Sequence, residues 1–426
     1  MAAPKIVLAT VGSWGDLHPF LAIGQALRTR GARPVLAVPL DHVPKCRAAG
    51  LEAEPFLPSY AELGKATGLD NDDIVQRVIS DPNFLVSELL LPPLSESVDR
   101  LLDITAGASA IAGSQLAFAA PIAAGVHAVP YIAALLQPMA WFSRLDPPTS
   151  PQLRAFAKPP LGILGRNWNR LIGEIVAAVM TRRYAKRIDA VRIAHGLPKS
   201  AAVPILQPST TPAYSLGLYS PALADLPPDA PRPAALTGFP WFDSADGKPP
   251  ALDPQLSSFL KEGPPPLVVS LGSFIPAATQ DFYRRAAETA LALKMRAVLL
   301  TQADLGITAP AVITTGYAPH SLLFPHAAAI LHHGGIGTTG QALRSGKPQL
   351  IVPFMGDQFD QAHRLEKLGA GLCASPDEFM KDGAALLRAL LDDPQHGKAA
   401  ARIALHVRAE NGADAAAAKI LQTAGR

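Results

Sequence analysis

The chain has 426 residues, 49% of them hydrophobic and 17% charged, with 42 Pro, 33 Gly, 2 Cys and a formal charge of +3. That length predicts two or three domains with ample core, and high hydrophobicity with little net charge excludes a disordered chain. Cys46 and Cys373 are too few and too far apart for a disulfide framework or a zinc site, and Lys and Arg are too scattered for a nucleic-acid footprint.

In chain order, Lys5 to Val11 is a β-branched apolar run ending at Gly12, which reads as a buried parallel strand. Phe20 to Arg30 has helical spacing with Gly31 as its stop, and Arg33 to Pro39 reads as a second strand. Strand, helix, strand implies a right-handed crossover and an open α/β sheet. The N-terminus lacks the cleavage site of an export signal, so the expected location is cytoplasmic. Ser109 to Leu136, the most membrane-like stretch, is broken by Gln115, Pro121, His127 and Pro130 and reads as strand, helix, strand. A basic face touching anionic lipid is compatible with the charge, but nothing in the sequence supports one. The rhythm becomes irregular between about 64 and 215, as expected of insertions that shape a binding face.

Residues 221–266 hold 12 of the 42 prolines and are expected to be an interdomain linker. The domain reading is therefore 1–220, linker 221–266, 267–403, and a C-terminal helix over 404–426 that packs back on the first domain. Beyond the linker, strands at Leu267 to Gly272, Ala297 to Thr301, Ala311 to Tyr317, Ala329 to His333 and Gln349 to Pro353, with helices at Gln280 to Lys294 and from Thr338, read as a second doubly wound domain.

His332-His333-Gly334-Gly335-Ile336-Gly337-Thr338-Thr339 follows a predicted strand and opens a predicted helix. Glycines admit close backbone approach, threonines add hydroxyls, and a helix N-terminus favours an anion, so this segment reads as a phosphate cradle. It is neither a Walker loop nor GxGxxG. Asp70-Asn71-Asp72 imitates a metal-binding motif but lies in a polar run and reads as a helix cap.

This segment, with Tyr317-Ala318-Pro319-His320 before it and Asp357-Gln358 after it, resembles the donor-binding signature of the UGT-like glycosyltransferases of GT-B fold. Gly12-Ser13-Trp14-Gly15-Asp16-Leu17-His18-Pro19-Phe20 resembles the N-terminal loop of their bacterial and sterol branch. His320 to Phe324 and Asp357-Gln358-Phe359-Asp360 are most similar to the rhamnolipid rhamnosyltransferase group within that branch.

The resemblance implies two Rossmann-like doubly wound domains facing each other across a cleft, and inverting transfer of a hexose from UDP-glucose or a dTDP-sugar such as dTDP-rhamnose, without metal or other cofactor. It places His333, Gly335, Gly337, Thr338, Thr339 and Ser273 on the donor diphosphate and Tyr317 on the nucleobase. His320 stands for a family Gln, Gln341 for a ribose-binding Glu, and Asp357 and Gln358 would grip the sugar. Asp16 is the expected base, with His18 as the alternative and a purely structural cap role as the other reading. The acceptor is expected to be a lipophilic hydroxylated small molecule touching Trp14, Met139, Trp141 and Phe142. The protein is expected to be a monomer or dimer.

Three other readings remain open on the sequence alone. A nicotinamide oxidoreductase could use Gly12 to Gly15 with Asp41, although Trp14 fills the place of the fingerprint's middle glycine. A sugar-nucleotide epimerase and a non-catalytic binding module are the others.

Overall fold

The computed structural model describes residues 3–200, 212–244, 250–272 and 280–425. The chain divides into two compact units, residues 1–242 with 411–426, and residues 243–410.

The first unit is built on a seven-stranded sheet: β1 (Lys5–Ala9), β2 (Arg33–Pro39), β3 (Glu52–Leu57), β4 (Ala110–Ser114), β5 (Tyr131–Leu135), β6 (Tyr214–Gly217) and β7 (Ala234–Leu236). All pairings are parallel and the order is β3-β2-β1-β4-β5-β6-β7. Ile6, Val7, Leu8, Ile111 and Ile132 are wholly buried, as strands covered on both faces require. The second unit has β8 (Leu267–Ser270), β9 (Ala297–Leu300), β10 (Val312–Thr315), β11 (Ala329–His332), β12 (Gln349–Ile351) and β13 (Gly371–Cys373), again all parallel, in the order β10-β9-β8-β11-β12-β13. Renumbered within its own unit that order is 3-2-1-4-5-6, the dinucleotide-fold order. Its topological switch point lies between β8 and β11, and the equivalent point in the first sheet lies between β1 and β4.

Two expectations change here. The units divide between Phe242 and Asp243, inside the expected linker, but 221–266 is not linker throughout, since it includes β7 and the helix Pro254–Lys261. Five of the prolines there adjoin regular elements. Pro233 precedes edge strand β7, Pro254 opens a helix capped by Asp253, and Pro264 to Pro266 lead into β8. Nor is 404–426 one helix. The helix Pro394–Ala409 belongs to the second unit, and only Gly412–Ala424 packs on the first, beside the helix Trp14–Thr29. Among the described residues no helix is long and apolar enough to cross a membrane.

Candidate functional site

Both signature loops emerge at the carboxyl ends of strands beside a switch point, one in each unit. In the first unit the chain leaves β1 and turns at Gly12, whose φ of +128° suits glycine alone; a Cβ there would lie 2.3 Å from Asp16 Oδ2. Ser13 then caps the helix Trp14–Thr29 in a capping box: Asp16 Oδ2 accepts from Ser13 N (2.8 Å) and from Ser13 Oγ (3.2 Å). Asp16 is thus the acid that closes the box three residues on, not the N-cap itself, and both of these bonds fall on Oδ2. Burial pushes the Asp16 carboxyl up to about 6, the Ser13 bonds pulling the other way.

The turn is fastened from behind by residues that sequence reasoning did not select. Gly12 O accepts from Tyr60 Oη and lies 2.8 Å from His42 Nε2. Asp41, the ribose-binding candidate of the oxidoreductase reading, accepts instead from Tyr60 N at 2.6 Å and so helps open the next helix. His18 lies between the Trp14 ring (centroids 6.1 Å apart) and the Phe242 ring (5.3 Å). Lys45 Nζ stands 3.6 Å from the centroid of the Trp14 ring, whose surface is partly open to solvent.

Of the other acceptor candidates, Trp141 is a core residue. It is 4% exposed, with its indole N–H on Tyr219 Oη at 2.8 Å, because the turn Pro138–Trp141 after β5 folds the ring inward. Met139 and Phe142 on the same turn are partly exposed, Phe142 at φ +47° and edge-on to Phe156.

In the second unit β11 delivers His332 and His333 to the switch point. His332 is wholly buried: its Nδ1 accepts from Gly334 N (3.2 Å) and its Nε2 meets Gln349 Oε1 (3.0 Å). Burial and the neighbouring His333 hold it neutral, its pKa lowered to about 3. His332 therefore shapes the turn. Burial likewise lowers His333 to about 4, and its Nδ1 faces Ser270 O at 3.4 Å.

Glycines are obligatory around His333. A Cβ on Gly335 would sit 2.4 Å from His333 Nε2, and one on Gly272, at φ +75°, 2.8 Å from Cε1. Gly334 at φ +91° turns the chain so that Gly335 becomes the N-cap of the helix Ile336–Ser345. Gly337 and Thr338 lie in its first turn, so their N–H groups are among those a helix leaves unpaired, whereas Thr339 N already donates to Gly335 O at 2.9 Å. Arg408 holds the far end of this helix, donating to Arg344 O and Ser345 O at 2.7 and 2.8 Å. Thr339 Oγ1 and Gln341 Oε1 are buried without a hydrogen-bond partner among the described residues. Ser273 lies outside the described residues.

Tyr317 and His320 come together through Asp243, again unforeseen. Its carboxylate accepts from Tyr317 Oη (3.2 Å) and from Ser321 N (2.6 Å) at the start of the short helix His320–Leu323. His320 stacks on Phe324 with centroids 4.3 Å apart, and burial lowers its pKa while Asp243 opposes the shift. Asp357 and Gln358 are more structural than expected. Gln358 Oε1 accepts from Phe354 N and Met355 N, closing the turn after β12, and Asp357 Oδ2 accepts from Gln361 Nε2 at 2.6 Å. Behind them lies a buried ion pair, Asp360 with Arg364 at 2.8 Å.

Residues 288–423 match the family described as the erythromycin biosynthesis protein CIII-like C-terminal domain. The chain is 30% identical over 423 residues to O-mycaminosyltylonolide 6-deoxyallosyltransferase of Streptomyces fradiae, covering 96% of this chain and 95% of that enzyme. It belongs to the UGT-like glycosyltransferases of GT-B fold. A sterol 3-beta-glucosyltransferase of Aspergillus fumigatus is 29% identical over 386 residues, which are 87% of this chain and 26% of that longer protein. Among solved structures, the spinosyn forosaminyltransferase covers 100% of both chains with a TM-score of 0.71 at 19% identity. The glycosyltransferase VinC, in complex with dTDP, covers 99% of this chain and 100% of its own with a TM-score of 0.69 at 20% identity. A glycosyltransferase, rather than an oxidoreductase, epimerase or binding module, is thus the activity class of this UGT-like enzyme.

Proposed function

We propose that this glycosyltransferase moves a hexose from a dTDP-activated donor, or from UDP-glucose, to a hydroxyl of a lipophilic small molecule, with inversion and without a metal ion. The observation that carries the reading is Asp16: a carboxylate in the first turn of the helix that follows β1, with one oxygen committed to the capping box and a pKa raised to about 6. A base of that strength is largely ionised at neutral pH yet basic enough to draw the proton from an attacking hydroxyl.

In the second unit, the helix N-terminus at Gly335, Gly337, Thr338 and Thr339 would stabilise charge on the departing diphosphate. With Nδ1–H on Ser270 O, His333 presents Nε2 as a lone pair; a bound diphosphate favours the cation and turns Nε2 into a donor. Gln341, its Oε1 unpartnered among the described residues, suits a ribose hydroxyl, and Tyr317 offers a ring for the base. The dTDP bound to VinC and the deoxysugar named for the Streptomyces relative support dTDP over UDP.

A mass-spectrometric panel crossing dTDP-rhamnose, UDP-glucose, UDP-galactose and UDP-GlcNAc with macrolide, steroidal, fatty and phenolic acceptors tests this, with the product's anomeric coupling read by NMR. The expected result is an inverted glycoside formed equally well with EDTA present. A retained anomeric configuration, EDTA-abolished turnover or transfer to polar acceptors alone overturns the reading.

A further inference from the structure

The helix Ile163–Met180 leaves an apolar stripe in solvent. Asn169 is its wholly buried contact with the body of the first unit, accepting from Ala157 N at 2.7 Å and donating to Ala157 O and Arg144 O at 3.0 and 3.1 Å. On the opposite face Leu164, Trp168, Leu171, Ile175 and Val179 recur at steps of four, three, four and four, one continuous stripe. All five are open to solvent, from 48% for Leu171 to 86% for Leu164. A surface helix ordinarily turns such a stripe inward, so its exposure marks a binding surface.

Charge names what binds. Residues 144–199 contain eleven Lys and Arg against three Asp and Glu, whereas the whole chain is only +3. Arg182, Arg183, Lys186 and Arg187, on the continuation of this helix past Met180, are exposed, whereas Arg166 and Arg170 follow Leu164 and Trp168 by two residues and so stand away from the stripe. A second copy of this chain docking by two-fold symmetry would set these cations against themselves. An anionic lipid surface would neutralise them while the stripe enters the headgroup boundary, and Trp168, its N–H satisfied by Ala155 O at 2.7 Å, has the amphipathic ring that such a boundary favours. At 18 residues the helix is about 27 Å long, suited to lying in the interface plane.

We propose that the helix Ile163–Met180 seats this enzyme on the surface of a bilayer containing anionic lipid. The test is co-sedimentation of the full chain with vesicles of phosphatidylcholine alone or with 30% phosphatidylglycerol, with Trp168 emission read in parallel. The expected result is at least tenfold more protein on the anionic vesicles, released by 0.5 M NaCl, with a blue shift that W168F removes. L171E/I175E, chosen on exposed positions, is expected to lose at least tenfold in binding while keeping its melting temperature and its affinity for dTDP. Should that variant fail to fold, R182S/R183S carries the same expectation. Equal recovery on both vesicles, binding untouched by these substitutions, or a wild-type dimer that L171E/I175E makes monomeric without any vesicle binding overturns the proposal. Because dTDP affinity is measured separately, failure here leaves the donor reading intact.

Discussion

On the proposed reading, Asp16 concentrates the chemistry of the first unit in a single side chain. Its environment separates the base role from the cap role, because asparagine retains a carbonyl oxygen to accept from Ser13 but cannot hold a proton at neutral pH. Asp16→Asn is expected to lower kcat by about 10²–10⁴-fold while dTDP affinity is unchanged; undiminished turnover would remove Asp16 from the mechanism. With the carboxyl raised to about 6, log kcat/KM of the wild type should fall with unit slope below about pH 6, and the Asn variant should lack that limb. Stability carries the opposite sign. Between pH 4 and 6 the folded state keeps a proton that the unfolded chain has lost, so rising pH removes stability over that window. At pH 7.5 the Asn variant should therefore melt no lower than the wild type, which separates lost chemistry from lost folding.

At the scale of elements, what matters is how two strand-to-helix turns are tied down. The β11 turn depends on His332 between Gly334 N and Gln349, and on two glycines pressed against the His333 ring. Gly335 has a φ of −59° that alanine accepts, so Gly335→Ala costs nothing in backbone conformation but sets a Cβ 2.4 Å from His333 Nε2 and displaces the ring. Nucleotide affinity measured by calorimetry is expected to drop about tenfold or more with little change in circular dichroism; an unchanged Kd would show that the ring's position does not matter to the donor. The apolar runs of β1, β4, β8 and β11 announced themselves as buried parallel strands, and glycine-rich stops after β1 and β11 marked the turns. The fastenings did not. Tyr60, His42 and Asp243 are distant in sequence from the residues they hold, and no periodicity relates a tyrosine at 60 to a carbonyl at 12.

The whole molecule is two parallel-sheet units whose chain path is not sequential, since the last helix returns to the first unit. Ile420, Ala416 and Ala417 are buried there, and a Cβ on Gly412 would lie 2.4 Å from Gly238 O. The Arg30–Asp414 pair at 2.7 Å is solvent-exposed on both sides and contributes little beside that packing. Ile420→Ala is expected to destabilise by about 2–4 kcal/mol through the cavity it leaves. The measurement is calorimetric unfolding, in which the transition that dTDP raises should move less than the other; a shift confined to the nucleotide-stabilised transition would assign the helix elsewhere.

By itself the sequence determined the α/β class, the two sheets, the two signature turns and the family, because apolar runs, glycine stops and motif spacing are properties of neighbours along the chain. Only the tertiary structure decided that Pro233, Pro254 and Pro264 to Pro266 serve a sheet edge, a helix start and a strand entry, that Trp141 is core, and that Gln358 braces a turn. It also decided that the stripe at 164–179 faces outward. Each depends on which side of an element meets the rest of the fold. Apolar residues at helical spacing share a face, but nothing in that spacing says which way the face turns; the packing of Asn169, Gly173 and Met180 leaves this one outside.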